Sequence, residues 1–183
     1  MNLDAILETI PSFAKDLKLN FSGVVRPQTD LNEQHAWGTL VACAISSRNE
    51  QLTAAALEEG AKYLSPEALE AAKGAAAIMA MNNVFYRFLH LASNEKYRTQ
   101  RAGPRMNVIR THGVDQPDYE LWCLAASAIN GCGACIDSHE KVLQQKGFGE
   151  ERVMAVVRIA AVVHAIAAVL DAEKIPAAHL LEA

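Results

Sequence analysis

The chain has 183 residues, 51% of them hydrophobic but only 6% aromatic, a composition that favours an all-α fold of closely packed, alanine-rich helices. Its length suits one domain with a substantial hydrophobic core. With 17 basic and 21 acidic side chains, a net charge of −4 and no basic block, it lacks the positive surface that nucleic-acid binding requires, so we expect no nucleic-acid partner.

The N-terminal segment places Asp4 and Glu8 where a secretory signal would need a basic region followed by an apolar one. We therefore expect a cytoplasmic protein. The most apolar stretch, residues 154–170, is short for a membrane span and contains Arg158 and His164. It predicts a buried helix, with no membrane association and with His164 as a hydrogen-bonded core histidine.

Helical patterns recur along the chain and are interrupted where Gly, Pro and Asn cluster. Pro66 and Pro117 fall where the first turn of a helix tolerates proline, and Gly60 and Gly147 fall where helices tend to end. Together the patterns predict a helical bundle forming a single domain over residues 1–183. The predicted helices lie at residues 2–18, 30–46, 50–63, 66–80, 83–93, 117–129, 133–146 and 150–171.

Two parts of the chain resemble each other. WGTLVACAIS, from Trp37, is similar to WCLAASAIN, from Trp122, and alanine-rich helices follow both at nearly the same offset. We predict an internal two-fold repeat of residues 30–95 and 116–171. The competing explanation is chance similarity between alanine-rich helices. If the repeat is real, only its second copy carries thiols at the interruption between the two helices, because residues 46–50 of the first copy align with residues 131–135.

Two of the four cysteines, Cys43 and Cys123, have apolar neighbours on both sides and are expected to pack in the core. The other two, Cys132 and Cys135, form a C-x-x-C motif four residues before His139. Asn130 and Gly131 are expected to end one helix, and the next should begin near Cys132. At about 100° per residue, Cys132, Cys135 and His139 then share one helix face.

This arrangement is suited to thiol chemistry. A helix N-terminus and a neighbouring imidazole both favour thiolate over thiol, and two cysteines at this spacing can close a disulfide that prevents over-oxidation. The helix dipole favours Cys132 as the nucleophile, whereas His139 lies one turn beyond Cys135, so these residues leave the choice open. Glu120, on the preceding helix, could orient His139 as the third member of a relay. Alternatively, its charge only favours the first turn of its own helix.

A tetrahedral zinc site built from Cys132, Cys135, His139 and Glu120 is an alternative use of the motif. Structural zinc sites usually draw on two separated ligand pairs, so we expect no bound metal. Haem attachment requires a histidine directly after the second cysteine, where this chain has Ile136.

Three tracts make the sequence recognisable: MAMNNVFYRFLHL (79–91), RMNVI (105–109) and ELWCLAASAINGCGACIDSHEKVL (120–143). With them the chain resembles the alkyl hydroperoxidase D family, in the carboxymuconolactone decarboxylase-like superfamily, over nearly its whole length. The resemblance implies an all-α subunit with an internal repeat that assembles as a homotrimer or a higher multiple. It also implies an antioxidant peroxidase that reduces alkyl hydroperoxides.

By position, the resemblance makes Cys135 the peroxidatic thiol, which passes through sulfenic acid, and Cys132 the resolving thiol and proton donor. His139 and Glu120 become the proton relay. Some members have a further relay histidine directly before the second cysteine, where this chain has Ala134. No bound cofactor is implied, only a redox-active Cys132–Cys135 disulfide.

The resemblance also implies partners. Electrons would come from dihydrolipoamide, carried by a dihydrolipoamide acyltransferase and renewed by lipoamide dehydrogenase. The protein would in addition reduce a peroxiredoxin, alkyl hydroperoxide reductase C. Two other functions are weighed: a cofactor-free decarboxylase or hydrolase of the same superfamily acting on a ring lactone, which needs no thiol pair, and a metal-binding module.

Residues 79–88 are rich in methionine, asparagine and aromatic side chains, which could line a channel to the thiols or form a subunit contact. Ordinary core packing is the commoner use of such residues at helical spacing and is what we expect here. His35, His90 and His112 have no recognisable partner pattern in the sequence.

Overall fold

The computed structural model describes residues 2–25 and 30–174, and within them all regular structure is helical, which confirms the all-α prediction. A π-helical turn spans Phe21–Val25, and short 3₁₀ helices lie at Ser12–Ala14, Glu95–Thr99 and Asn107–Arg110. The α-helices are α1 Leu3–Glu8, α2 Lys15–Asn20, α3 Glu33–Ser46, α4 Glu50–Gly60, α5 Pro66–Leu91, α6 Gln116–Ile129, α7 Gly133–Gln145 and α8 Glu150–Glu173.

The prediction of one helix over residues 2–18 was wrong. Pro11, which lacks a backbone N–H, follows the end of α1, and the 3₁₀ turn Ser12–Ala14 leads into α2. The break allows Leu3, Ile6 and Leu7 of α1 to be buried against the core while the chain changes direction.

The prediction of two helices at 66–80 and 83–93 was also wrong, because α5 is continuous. Asn82 and Asn83, at the predicted break, are both buried. The Asn83 amide donates a hydrogen bond to Ser127 Oγ at 2.9 Å, and its Oδ1 accepts one from Asn130 Nδ2 at 2.9 Å. Since its side chain has tertiary partners, it does not compete for the helix backbone.

Helices α3 and α6 pack against each other at the centre of the molecule, and α5 and α8 pack on both. Trp122 of α6 is fully buried, and its indole fills the space beside Gly38 of α3, where a Cβ atom would come within 2.2 Å of the ring. This close approach fixes the position of α6, which leads directly to the cysteine motif.

By length and composition alone, α8 could cross a membrane, and half of its most apolar window is buried inside the protein, against α3 and α6. Arg158 and His164 lie on its exposed outer face. The prediction of a core position for His164 was therefore wrong: its ring is exposed, with Nδ1 3.3 Å from Ser47 Oγ. The helical period carries positions 158 and 164 away from the face formed by Ile159, Val163 and Ile166.

Helices α3 to α5 and α6 to α8 follow each other with matching spacing. Helix α6 begins 83 residues after α3, at Gln116 and Glu33. Helix α7 begins 83 residues after α4, and α8 begins 84 residues after α5. The similar order and spacing are compatible with an internal repeat. Superposition of the two halves would be the test, so the repeat remains a prediction, as do its boundaries.

Candidate redox site

The cysteine motif lies at a tight turn between two helices. Helix α6 ends at Ile129, Asn130 is its C-cap, and Gly131 has φ of +66°, a conformation that favours glycine. Cys132 is the N-cap of α7, and its backbone N–H donates to the Ser127 carbonyl at 3.1 Å. The predicted helix break and helix start are therefore confirmed.

Cys132 and Cys135 are joined by a disulfide, with their Cα atoms 5.4 Å apart. The backbone N–H groups of Cys135 and Ile136 both donate to the Cys132 carbonyl, at 3.1 and 3.0 Å, which forms the first turn of α7. Cys132 has no exposed surface, whereas Cys135 is 6% exposed. Both sulfurs thus lie at the positive end of the α7 dipole, and only Cys135 has exposed surface.

Glu120 and His139 form a buried pair, with Glu120 Oε2 2.6 Å from His139 Nδ1. Gln116 Nε2 donates to the other carboxylate oxygen, Oε1, at 3.4 Å. Glu120 lies beyond the first turn of α6, so the alternative in which its charge only favours that turn does not describe its position. The expected contact between Glu120 and His139 is present, and it leaves Nε2 as the ring nitrogen available for other partners.

Met79 is the side chain that meets His139 on its other side, with Sδ 3.3 Å from Nε2. The Ser127 hydroxyl also donates to this sulfur, at 3.4 Å. Met79 is only 1% exposed, as the expected core packing requires, and it is a site residue as well. Channel lining was the less favoured alternative for residues 79–88, because methionine at helical spacing is more often part of a core.

A cavity of about 400 Å³ opens beside these groups. Cys135, Glu120 and His139 lie on one wall, and Cys132 does not line it. The Sγ of Cys135 lies 4.0 Å from the Asn82 carbonyl oxygen. The other lining residues, mostly apolar, are Met79, Asn82, Tyr86, Met106, Ile109, Ala134, Ser138 and Val142.

The opposite wall of this cavity combines one residue for which the sequence left channel lining as the less favoured alternative, Tyr86, and two that the sequence did not suggest as lining, Met106 and Ile109. Tyr86 comes from α5, and Met106 and Ile109 come from the segment that links α5 to α6. The Tyr86 hydroxyl lies 3.8 Å from Met106 Sδ. The tracts 79–91 and 105–109, which carry the family resemblance, were the available signal, because they contain all three residues.

Cys43 and Cys123 are fully buried free thiols, which confirms their predicted core positions. Burial raises the pKa of Cys43 far above its ordinary value. The pKa of Cys123 is raised in the same direction, first by burial and then by the negative charge of Glu120. Both stay protonated at neutral pH, so thiolate chemistry is left to the Cys132–Cys135 pair.

Within residues 2–25 and 30–174, no group of three or more His, Cys, Asp or Glu side chains is arranged to hold a metal ion. The zinc alternative for the motif therefore finds no support in this part of the chain.

Residues 99–178 match the model of the carboxymuconolactone decarboxylase family. This segment contains α6, α7 and α8, and with them the C-x-x-C disulfide and the Glu120–His139 pair. The fold and site therefore define a helical protein of the carboxymuconolactone decarboxylase class that carries a redox-type cysteine pair.

Relatives that match along nearly the whole chain narrow this class. A protein of Acidobacterium capsulatum is 63% identical, covering 96% of this chain and 96% of its own length. A protein of Koribacter versatilis is 60% identical, covering 95% of this chain and 90% of its own length. A protein of Solibacter usitatus is 57% identical, covering 97% of this chain and 100% of its own length. All three are named alkyl hydroperoxide reductase AhpD, and the chain belongs to the AhpD family.

Proposed function

We propose that this protein is an antioxidant thiol peroxidase that reduces alkyl hydroperoxides. In this proposal Cys135 is the peroxidatic thiol, Cys132 the resolving thiol, and His139 and Glu120 the proton relay. The observation that carries it is the position of Cys135 on the wall of an apolar cavity, beside a buried Glu120–His139 pair and in a disulfide with a cysteine that does not line the cavity. The names of the relatives support the substrate class.

In the first step, the Cys135 thiolate attacks the terminal oxygen of the hydroperoxide and the O–O bond breaks. Cys135 becomes a sulfenic acid, and the alkoxide that leaves takes a proton to form the alcohol. His139 relays that proton in this proposal, because Glu120 holds its Nδ1 and fixes the orientation of the ring. The apolar wall accommodates the alkyl group.

In the second step, the Cys132 thiol attacks the Cys135 sulfur, water leaves, and the disulfide closes. This step needs the two cysteines one helical turn apart, as their 5.4 Å Cα separation provides. Two electrons and two protons must then be returned from a dithiol. We propose dihydrolipoamide as this donor, carried by a dihydrolipoamide acyltransferase and renewed by lipoamide dehydrogenase, because the apolar cavity suits an aliphatic dithiol.

The same dithiol form could pass its electrons to an oxidised peroxiredoxin, alkyl hydroperoxide reductase C, by thiol–disulfide exchange. This activity uses Cys132 and Cys135 alone and requires no peroxide in the cavity. We propose it as the companion function, with the partner implied by the family.

The proposed assembly is a homotrimer or a higher multiple. Val84, Phe88 and Leu91 support it, because they lie along one face of α5 and are 58%, 52% and 72% exposed. Light scattering should give a mass well above the 19.8 kDa of one chain. Phe88→Glu should lower this mass, whereas Phe13→Glu, at an even more exposed phenylalanine outside this face, should not. A single-chain mass for the unmodified protein would contradict the assembly.

The test of the main proposal is consumption of tert-butyl hydroperoxide driven by dihydrolipoamide. Cys132→Ser and Cys135→Ser should both lose turnover, and Cys123→Ala, which removes a buried thiol, should retain it. A dimedone adduct should form on Cys135 in the Cys132→Ser variant. Turnover in both serine variants would refute the peroxidase proposal, and an adduct on Cys132 in the Cys135→Ser variant would reverse the two roles.

A further inference from the structure

A second cavity, of about 320 Å³, lies where the ends of α3 and α6 meet the middle of α5 and the outer face of α8. It shares no lining residue with the redox cavity. Its wall carries two arginines, a histidine and two serines: Arg48, Arg87, His164, Ser46 and Ser47. None of its lining residues is acidic, although the chain as a whole has a net charge of −4.

Arg48 sits in the turn between α3 and α4 with φ of +62°, the left-handed region that disfavours a side chain with a Cβ atom. It is the only residue other than glycine with positive φ among the described residues. Within the same residues its guanidinium has no carboxylate within ion-pair distance. Residues other than glycine with such a strained backbone conformation concentrate at ligand-binding sites.

Arg87 reaches the cavity from α5 and donates one N–H to the Asn130 carbonyl oxygen. A guanidinium has five N–H groups, so most of its donors remain for another acceptor. The Ser46 hydroxyl oxygen, also on the wall, is shielded from solvent and has no hydrogen-bond partner in the described residues. Ser47 Oγ and His164 Nδ1 lie 3.3 Å apart on the same wall.

We propose that this cavity is a binding site for a small oxyanion, a carboxylate or a phosphate group, held by Arg48 and Arg87. Two guanidinium groups around a concavity match the geometry of an oxyanion, and charge-assisted hydrogen bonds of this kind are the stronger ones. The Ser46 and Ser47 hydroxyls and the His164 ring supply further polar contacts to its oxygens. The volume admits a small organic group attached to the anion.

The test is titration of the full chain with inorganic phosphate and, separately, with acetate, at an ionic strength held constant with chloride. Binding is followed by calorimetry and by amide NMR. Saturable binding of either anion with shifts at Ser47 and Arg48 is expected, and the tighter of the two identifies the preferred headgroup. No saturable binding of either anion would overturn the proposal.

The informative variant is Arg48→Asn, because asparagine removes the charge and tolerates positive φ, so the turn is preserved. It should weaken binding about tenfold, as expected for loss of one charge-assisted contact. Arg158→Gln, at an exposed arginine of α8 that does not line the cavity, should bind like the unmodified protein. Equal weakening in both variants would show non-specific attraction and refute the site.

Discussion

The two cysteines of the motif and the Glu120–His139 pair differ in their surroundings. Cys135 faces an apolar cavity, Cys132 is enclosed between α6 and α7, and Glu120 and His139 are each about nine-tenths buried. A carboxylate 2.6 Å from the imidazole Nδ1 fixes the orientation of the ring and leaves Nε2 facing Met79 on the cavity wall. The chemistry that the site can perform therefore depends on how the His139 ring is oriented as well as on which residues are present.

Glu120→Gln tests that orientation. The amide keeps the size of the side chain but loses the carboxylate that holds His139 Nδ1, so oxidation of Cys135 by hydroperoxide should slow about a hundredfold. Stopped-flow measurement of that step in the reduced protein gives the value. Glu140→Gln, on α7 but outside the cavity lining, is the matched control. An unchanged rate would leave Glu120 a purely structural role.

Selective alkylation of the cysteines tests the difference between the two kinds of thiol. Burial raises the pKa of Cys43 and Cys123, so each is a neutral thiol at pH 7 and forms thiolate only as the pH approaches its raised value. In the reduced, folded protein, iodoacetamide should modify Cys135 first and leave Cys43 and Cys123 unmodified even at about pH 9. Peptide mass spectrometry reads the sites, and early labelling of Cys43 would contradict the assignment.

Single residues of the site were predictable where one local pattern placed them together. The C-x-x-C spacing and His139 one turn later follow from the helical period, and the Asn130–Gly131 turn brings α6 back towards α7. The contact of Met79 with His139 spans 60 residues of sequence, and no local pattern carries that information. For the same reason the buried pair of His35 Nε2 and Asp118 Oδ1, 2.8 Å apart, was not anticipated.

Among the helices, α3 and α6 are in close contact at Gly38. The buried Trp122 indole occupies the position that a Cβ on Gly38 would need, and both helices are enclosed by α5 and α8. Neither the ring nor the backbone of α3 can move without disturbing this core.

Gly38→Ala should therefore destabilise the protein by about 1–3 kcal/mol, the usual cost of overpacking a core. Gly74→Ala is the matched control on α5, because an added Cβ there meets Val108 Cγ2 at an ordinary 3.6 Å. That control should stabilise the protein by up to about 1 kcal/mol through helix propensity. Equilibrium unfolding in urea measures both, and equal stability of the two variants would show that the α3–α6 contact can relax.

Helix boundaries were predictable where capping residues and glycines mark them, as at Gly60 and at Gly147, which has φ of +80°. They were not predictable where tertiary contacts decide. A break was predicted next to Asn82 and Asn83, and a buried hydrogen-bond network around Asn83 lies where α5 continues. A single helix was predicted over residues 2–18, but α1 ends at Glu8, before Pro11.

For the molecule as a whole, the disulfide links residues only three positions apart and so restricts the unfolded chain very little. Reduction should lower the free energy of unfolding by no more than about 2 kcal/mol. Far-UV circular dichroism should be unchanged by dithiothreitol, and the urea midpoint should move only slightly. Cys123→Ala, measured in both states, should show the same small shift. Loss of helix on reduction would mean that turnover requires refolding.

The segment 92–115 joins the two sets of helices with only two short 3₁₀ helices, and it also supplies Met106 and Ile109 to the redox cavity. The thiols and the Glu120–His139 pair, in contrast, sit on long helices fixed by the central core. Side chains on such a linker can change with little effect on stability. In the proposed mechanism, substrate preference is thereby separated from catalytic geometry, because changes in this linker would alter which hydroperoxides enter without disturbing the cysteine pair or the Glu120–His139 pair.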